Sequence, residues 1–379
     1  MKYISRYIEK GVLEDLTQKM VFISGPRQSG KTTLAKQILK RMNCSISRCY
    51  LNWDSAKDRE MIIREEFPAG QKMLALDEIH KYKRWRQVVK GLYDKRSDEL
   101  KILVTGSGKL DYYRHGGDSL QGRYHFYRLH PLSLYEITPS NQKNLKKLLR
   151  FGGFPEPFGL NSDRETKRWS REYRTRIINE DLSTLENVKD ISLIEHLSIR
   201  LPDLVGSPLS LNALRLDLQV AHETVQRWLA ILENLYVIFR LYPFGAPNIR
   251  AVKKEAKHYH FDWTLIEEEG IRFENFIACS LLKYCHYKQD YDGENMELRF
   301  FRDIDRREVD FVILKNNQPE YFIECKFKSK EVNPALLYLK QRFQNAQSVQ
   351  ISFHPQEAYI TRNGIRVCSA VDFLHELGV

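Results

Sequence analysis

Apolar runs near residues 20–24, 49–53, 73–77, 101–105 and 125–129 are separated by longer stretches with helical spacing, such as Trp85 to Lys95. This alternation predicts a parallel α/β sheet covered on both faces. Residues 144–200 read as helical, interrupted by Gly152-Gly-Phe-Pro155-Glu-Pro157, a hinge or linker signal. Ser210 to Leu218 predicts a short helix, and Val220-Ala-His222-Glu-Thr224 a turn with an N-cap. Val225, Trp228, Leu229, Leu232 and Leu235 then recur at helical spacing, before a strand from Tyr236 to Tyr242 that stops at Pro243. Helix, turn, helix and strand in that order are the plan of a winged helix. In the last third, an amphipathic helix from Arg272 to Leu282 precedes strands at 298–302, 308–314 and 321–326, with a hairpin turn from Lys315 to Pro319. The segmentation is a sheet-and-helix core at 1–140, a helical connector at 141–200, a winged helix at 201–250 and a final α/β domain at 251–379.

The first two elements frame a chemistry. Met20-Val-Phe-Ile-Ser24 is followed by Gly25, Pro26, Arg27, Gln28, Ser29, Gly30, Lys31, Thr32 and Thr33, and then by a helix-like run to Leu39. Strand, glycine loop and helix are the setting of a phosphate-binding P-loop. Backbone N–H groups wrap the phosphates, and the helix N-terminus adds positive partial charge. Lys31 then reaches the β- and γ-phosphates and Thr32 holds Mg²⁺. The ligand is ATP or GTP. The apolar Leu74-Ala-Leu76 runs into Asp77-Glu78. In a nucleotide hydrolase the Asp orients the Mg²⁺ shell and the Glu polarises the attacking water.

The fourth strand ends in Thr105-Gly-Ser107-Gly108, where a polar side chain between the carboxylates and the γ-phosphate is expected. Ser107 is the first candidate and Thr105 the second. Arg123, just before the last strand, would serve a neighbouring subunit's γ-phosphate or pair with a local carboxylate. The first helix of the last third carries Glu274, and its strands carry Asp310, Glu324 and Lys326. Glu324 and Lys326 are two apart and share a face. Two carboxylates and a lysine at one sheet edge would bind Mg²⁺ and stabilise a scissile phosphate, with Glu274 as a further ligand. They would equally form a salt-bridged edge. Lys328 and Lys330 add positive charge nearby.

Composition sets the partners. The 379 residues suggest two or three domains, and the net charge of +11 favours a polyanion, with nucleic acid the usual one. His222, Thr224, Gln226 and Arg227 would face DNA if the second helix of the winged helix enters a groove. No apolar run approaches the ~20 residues of a membrane span, the N-terminus lacks a secretory core, and the six cysteines form no C-x-x-C pair. These features predict a cytoplasmic protein with reduced thiols.

Taken in order, these motifs resemble the AAA-type prokaryotic ATPases that carry a C-terminal domain of unknown function. The resemblance spans almost the whole chain, from Gly25–Leu34 and Leu76-Asp-Glu-Ile-His80 through Thr105-Gly-Ser107, Ser119-Leu-Gln-Gly-Arg123 and Pro131-Leu-Ser-Leu-Tyr-Glu136. It continues in Gly152-Gly-Phe-Pro155, Phe273-Glu-Asn275, Glu308-Val-Asp310 and Glu324-Cys-Lys326. It implies an ATPase core, a winged helix and a restriction-endonuclease-like, PD-(D/E)XK-type fold, with ATP and Mg²⁺ as ligand and cofactor. By position, Lys31, Thr32, Asp77 and Glu78 serve hydrolysis, and Arg123 is the trans-acting finger. The resemblance also implies self-association, often as a hexameric ring; DNA, branched or broken, enters as the substrate by analogy alone.

Overall fold

The computed structural model describes residues 3–67, 70–107, 120–182, 190–245, 255–328 and 331–379. Gly108, Ser119, Lys330, residues 183–189 of the helical connector and residues 246–250 of the winged-helix segment lie outside the described residues. The chain divides into two compact units. One comprises Lys2–Pro131 with Asn234–Tyr236, the other Leu132–Glu233 with Val237–Val379.

The N-terminal unit is built on strands β1 (Met20–Ser24), β2 (Tyr50–Asn52), β3 (Met73–Asp77), β4 (Lys101–Thr105) and β5 (Tyr124–Arg128). They lie where the apolar runs predict them, within a residue or so at each end. All pairings are parallel, in the order β2-β3-β4-β1-β5. β1 and β3 are buried at every position, as strands covered on both faces must be. One covering helix, Lys31–Arg41, buries Leu34, Ala35, Ile38 and Leu39, a stripe with helical spacing. Another, Trp85–Arg96, buries Trp85, Val88, Val89 and Leu92 in a core shared with Phe22, Leu74, Leu76 and Val104. Truncating such a buried Leu or Ile to Ala costs about 2–5 kcal/mol, so the sheet and its helices form as one unit.

The second unit begins at Leu132. Ser133 donates from both its amide and its hydroxyl to Glu136, and the buried Lys283 ammonium bonds Ser133 Oγ and the Glu136 carboxylate. This interior ion pair ties the Leu132–Glu136 segment to the helix Glu269–Tyr291. Helices Gln142–Phe151, Pro155–Leu160 and Asp163–Arg176 follow, with Gly152 at φ +81° between the first two. Helices Leu211–Leu218 and His222–Asn234 then lead into β6 (Ile238–Leu241), which pairs antiparallel with β7 (Lys257–His260). Val225, Trp228, Leu229 and Leu232 are buried, while His222, Gln226 and Arg227 are exposed.

The last third places β8 (Met296–Arg302), β9 (Glu308–Lys315), β10 (Gln318–Lys326), β11 (Gln347–Ser352), β12 (Tyr359–Ile360) and β13 (Arg366–Ser369) in one sheet, ordered β12-β13-β11-β10-β9-β8. β8, β9 and β10 are antiparallel, β10 and β11 parallel. A helix precedes β8, and the helix Pro334–Arg342 connects β10 to β11, packing Leu336 and Leu339 against Val312 and Phe322. The order is therefore helix, three strands, helix, strand. Among the described residues, no helix is long and apolar enough to cross a membrane.

Candidate nucleotide site and C-terminal acid cluster

The glycine loop leaves β1 at the carboxyl end of the sheet, where open α/β sheets bind ligands. Gly25 has φ +145°, and a Cβ there would sit 2.3 Å from the Leu129 carbonyl oxygen, so the position admits only glycine. Gly30 ends the loop at φ +100° and leads into the helix that starts at Lys31. Lys31 is buried, its Nζ donating to the carbonyls of Gly25 (2.9 Å) and Pro26 (2.6 Å). Arg6 braces the loop from below, through Nη1 to the Ser29 carbonyl (2.6 Å) and Nη2 to the His130 carbonyl (2.5 Å). Sequence reasoning missed Arg6, since nothing local joins residue 6 to residue 29.

Asp77 is the hub of the site. It is 2 % exposed and accepts three hydroxyls: Thr32 Oγ1 (2.7 Å), Thr105 Oγ1 (2.6 Å) and Tyr50 OH (2.5 Å). The sheet register explains two of them. Asp77 lies directly across from Thr105 on β4, and Tyr50 stands on β2, which pairs with β3. Of the two sensor candidates, Thr105 is the one whose hydroxyl meets the carboxylate. Ser107 is buried two residues further on, and its carbonyl accepts from Ser24 Oγ at 3.4 Å. Tyr50 was not singled out from the sequence; its register opposite the Asp-bearing strand is the signal that finds it.

Glu78 follows in the left-handed region, φ +57°, where non-glycine residues are uncommon. Its amide donates to the Thr105 carbonyl at 2.8 Å, which fixes that turn. Its carboxylate lies 3.5 Å from Lys81 Nζ and 3.7 Å from His80 Nε2. Burial pushes its pKa up, opposed by the positive charges of Lys31 and Lys81. A carboxylate raised in this way is a stronger base than one in water.

The residues fit Mg²⁺ and a nucleotide triphosphate: a loop whose tight approach excludes a side chain, a buried amine on that loop, and a buried carboxylate bonded to the first hydroxyl of the following helix. Arg123 does not join them. It precedes β5, whose first residue pairs with Met20, so it stands at the end of the sheet opposite the loop. Five residues of strand separate the two ends, roughly 16 Å. There it pairs with Asp94 at 2.8 Å. The local-carboxylate partner foreseen for it is thus present.

Asp310 on β9 and Glu324 on β10 are brought together. The Asp310 amide faces Glu324 Oε2 at 3.4 Å, and the Cys325 amide donates to Asp310 Oδ2 at 2.8 Å. Lys326 Nζ bonds Glu324 Oε1 at 2.5 Å. Glu274 accepts from Tyr259 OH at 2.8 Å. The residue that the sequence did not reveal is Lys257 on β7. It is 1 % exposed, and its Nζ lies 2.5 Å from Glu308 Oε1 and 3.6 Å from Glu274 Oε1. Burial disfavours its charge, but Glu274, Asp310 and Glu308 outweigh burial and raise its pKa. Burial, then repulsion from Asp310, pushes Glu274 and Glu324 each up to about 7. Asp310 is also raised, by burial against the pull of Lys257. Two ammonium groups, of Lys257 and Lys326, thus face four carboxylates, of Glu274, Glu308, Asp310 and Glu324. Among the described residues, no group of three or more acidic, histidine or cysteine side chains is arranged to enclose a metal ion. Glu274 and Glu324 are ion-paired, with Lys257 and Lys326, while Asp310 accepts from the Cys325 amide, and no catalytic step is derived through a metal there.

Residues 17–138 match the model of the AAA domain family, residues 142–268 a domain of unknown function (DUF8612) and residues 269–373 another (DUF4143). An uncharacterized protein of Mycobacterium tuberculosis, Rv2008c, is 25% identical over 65% of this chain and 55% of its own length. An uncharacterized protein of Methanocaldococcus jannaschii, MJ1544, is 22% identical over 88% of this chain and 79% of its own. The chain spans about half the length of the mycobacterial relative. Among solved structures, the Thermotoga maritima RuvB Holliday junction branch migration motor covers 62% of this chain and 90% of its own, at 18% identity and TM-score 0.33. The Aeropyrum pernix ORC1 protein in complex with DNA covers 71% and 92%, at 13% identity and TM-score 0.36. Residues 17–138 are thus similar to an AAA domain, and residues 142–268 and 269–373 to two domains of unknown function.

Proposed function

We propose that the chain is a Mg²⁺-dependent ATPase that acts on DNA through its second unit. The observation that carries the reading is the convergence of Thr32, Thr105 and Tyr50 on Asp77 beside a loop that holds Lys31. Thr32 and Asp77 would hold Mg²⁺, which would supply charge neutralisation for the triphosphate. Lys31 would exchange its loop carbonyls for phosphate oxygens. Glu78, kept basic by burial, takes the proton of the attacking water. Thr105 holds Asp77 in place. Arg123, at the far end of the sheet from its own loop, would serve a neighbouring subunit, which fits a ring.

DNA as the partner rests on the +11 charge and on the exposed His222, Gln226 and Arg227 of the second helix. RuvB is by its name a Holliday junction branch migration motor, and branched DNA is the substrate to test first. The second unit binds without cutting in this reading, because Lys257 and Lys326 pair with Glu274 and Glu324, two of the acids that a nuclease metal would need.

The deciding experiment measures Mg²⁺-dependent ATP hydrolysis with duplex, single-stranded and four-way DNA, in the parent and in Glu78→Gln. Stimulation by one DNA form, lost in Glu78→Gln, supports the proposal. Hydrolysis indifferent to every DNA overturns the DNA part and leaves a nucleotide-dependent switch that faces protein.

A further inference from the structure

The second unit contains a cavity of about 860 Å³. Its walls are the helices Gln142–Phe151 and Asp163–Arg176, with the residues just past the end of β10. Seven lysines and arginines line it against two carboxylates, and Arg150 already bonds one of these, Asp163. Lys146 and Arg150 are four apart on the first helix, and Lys167, Arg171 and Arg174 recur at four and three on the second. Each helix therefore aims a row of cations along one face, spaced ~6 Å per four residues. Among the described residues, Lys146, Lys167, Arg171, Arg174 and Lys328 make no ion pair.

The rows are rigidly mounted. The opposite face of the second helix buries Trp169 and Tyr173 against Phe154, with ring centroids 4.7 and 5.0 Å from it. Ser170 Oγ donates to the buried Asp262 at 2.6 Å. At the mouth, Phe327 stacks on the buried Phe353 at 4.7 Å with planes 5° apart, while keeping part of its own surface open. Phe353 is backed in turn by Phe273. A cation row beside a braced, partly open aromatic ring is the arrangement that holds a polyanion carrying flat bases.

We infer that this cavity takes a single strand of DNA, with phosphates along the two cation rows and a base on Phe327. The inference rests on the DNA reading above and adds to the exposed helix His222–Asn234 a second point of contact, the cavity. The cations run in rows rather than converging on one point, which fits a continuous backbone better than a lone phosphate.

The test is fluorescence anisotropy of a labelled oligothymidylate with the full chain over a salt series. Three variants are compared: Lys167→Gln with Arg171→Gln, Phe327→Ala, and Arg227→Gln on the other helix. Unchanged thermal unfolding confirms that each is folded. The double variant should weaken binding about ten-fold or more and flatten the log–log salt slope by roughly 1.4. Phe327→Ala should weaken binding roughly ten-fold with the slope unchanged, because stacking releases no counterions. Arg227→Gln should cost less affinity than either cavity variant. If the parent binds and only Arg227→Gln loses affinity, the cavity assignment is wrong while the DNA reading stands. If the parent binds no DNA form, both fall. If unlabelled dTMP displaces the strand at equal concentration, the cavity is a mononucleotide site and the inference is overturned.

Discussion

Thr105 Oγ1 donates to Asp77 Oδ1 at 2.6 Å, and the two residues stand directly opposite each other in the register of β3 and β4. One cross-strand pair thus places a hydroxyl between the metal-orienting acid and the neighbourhood of the glycine loop. A hydrogen bond to a charged group contributes about 1.5–3 kcal/mol. Thr105→Val should lower kcat by about ten-fold to a hundred-fold at nearly unchanged nucleotide affinity. Ser107→Ala should leave kcat within about two-fold, since its hydroxyl does not reach Asp77. Steady-state kinetics of the two variants decides between them, and the reverse ranking restores Ser107 as the sensor.

Lys31→Ala should abolish nucleotide binding, and Glu78→Gln should bind ATP without turning it over. The raised pKa of Glu78 also sets a pH dependence. The group must be ionised to act as a base, so kcat falls as pH drops through its folded pKa. That limb should lie above the ordinary carboxylate range and be missing in the residual activity of Glu78→Gln. A parental rate in Glu78→Gln would remove the role assigned to it.

Arg123 faces away from its own loop and is held by Asp94. If it acts in trans, Arg123→Ala and Lys31→Ala chains should each be inactive alone and regain hydrolysis when mixed, because one supplies the site and the other the finger. No recovery on mixing, with both chains still associating, would leave Arg123 as a local partner of Asp94.

Lys283 and Glu136 form an ion pair inside the second unit, each side chain at most 2 % exposed. Removing one partner strands the other charge, at a cost of about 3–5 kcal/mol. Lys283→Met should therefore lower the unfolding midpoint markedly, and Lys283→Met with Glu136→Gln should recover most of the loss. Equal destabilisation by the single and double variants would show that packing, not charge, is what Lys283 provides.

The acid cluster gives a second pH dependence. Glu324 titrates near 7 when folded and near ~4.3 when unfolded. Between those values the unfolded chain has lost a proton that the folded chain keeps, so this group's contribution to stability falls as pH rises. The buried His258 and His260, whose pKa values are lowered, act in the opposite sense at the acid end of that window, so the comparison must be between variants. Glu324→Gln lacks the effect, and its stability relative to the parent should be more favourable at pH 8 than at pH 5. A difference independent of pH would mean that Glu324 is not raised.

The sequence by itself determined the five strands of the first sheet, the glycine loop, the Asp77-Glu78 pair, the second helix with its buried Trp228 stripe, and the β9–β10 hairpin. Each is written in contiguous residues, where periodicity, turn chemistry and motif spacing act locally. Tertiary structure decided the rest. Thr105 rather than Ser107 meets Asp77 because register, not proximity in the chain, sets which residues face each other across a sheet. Arg6 reaches Ser29, Tyr50 reaches Asp77, and Lys257 reaches Glu274 and Glu308, across separations that leave no local pattern. The same holds for the cation rows of residues 146–174, which meet Phe327 and Lys328 only once the second unit is packed. A buried charge finds its counter-charge by folding, because the low-dielectric interior makes any other arrangement costly.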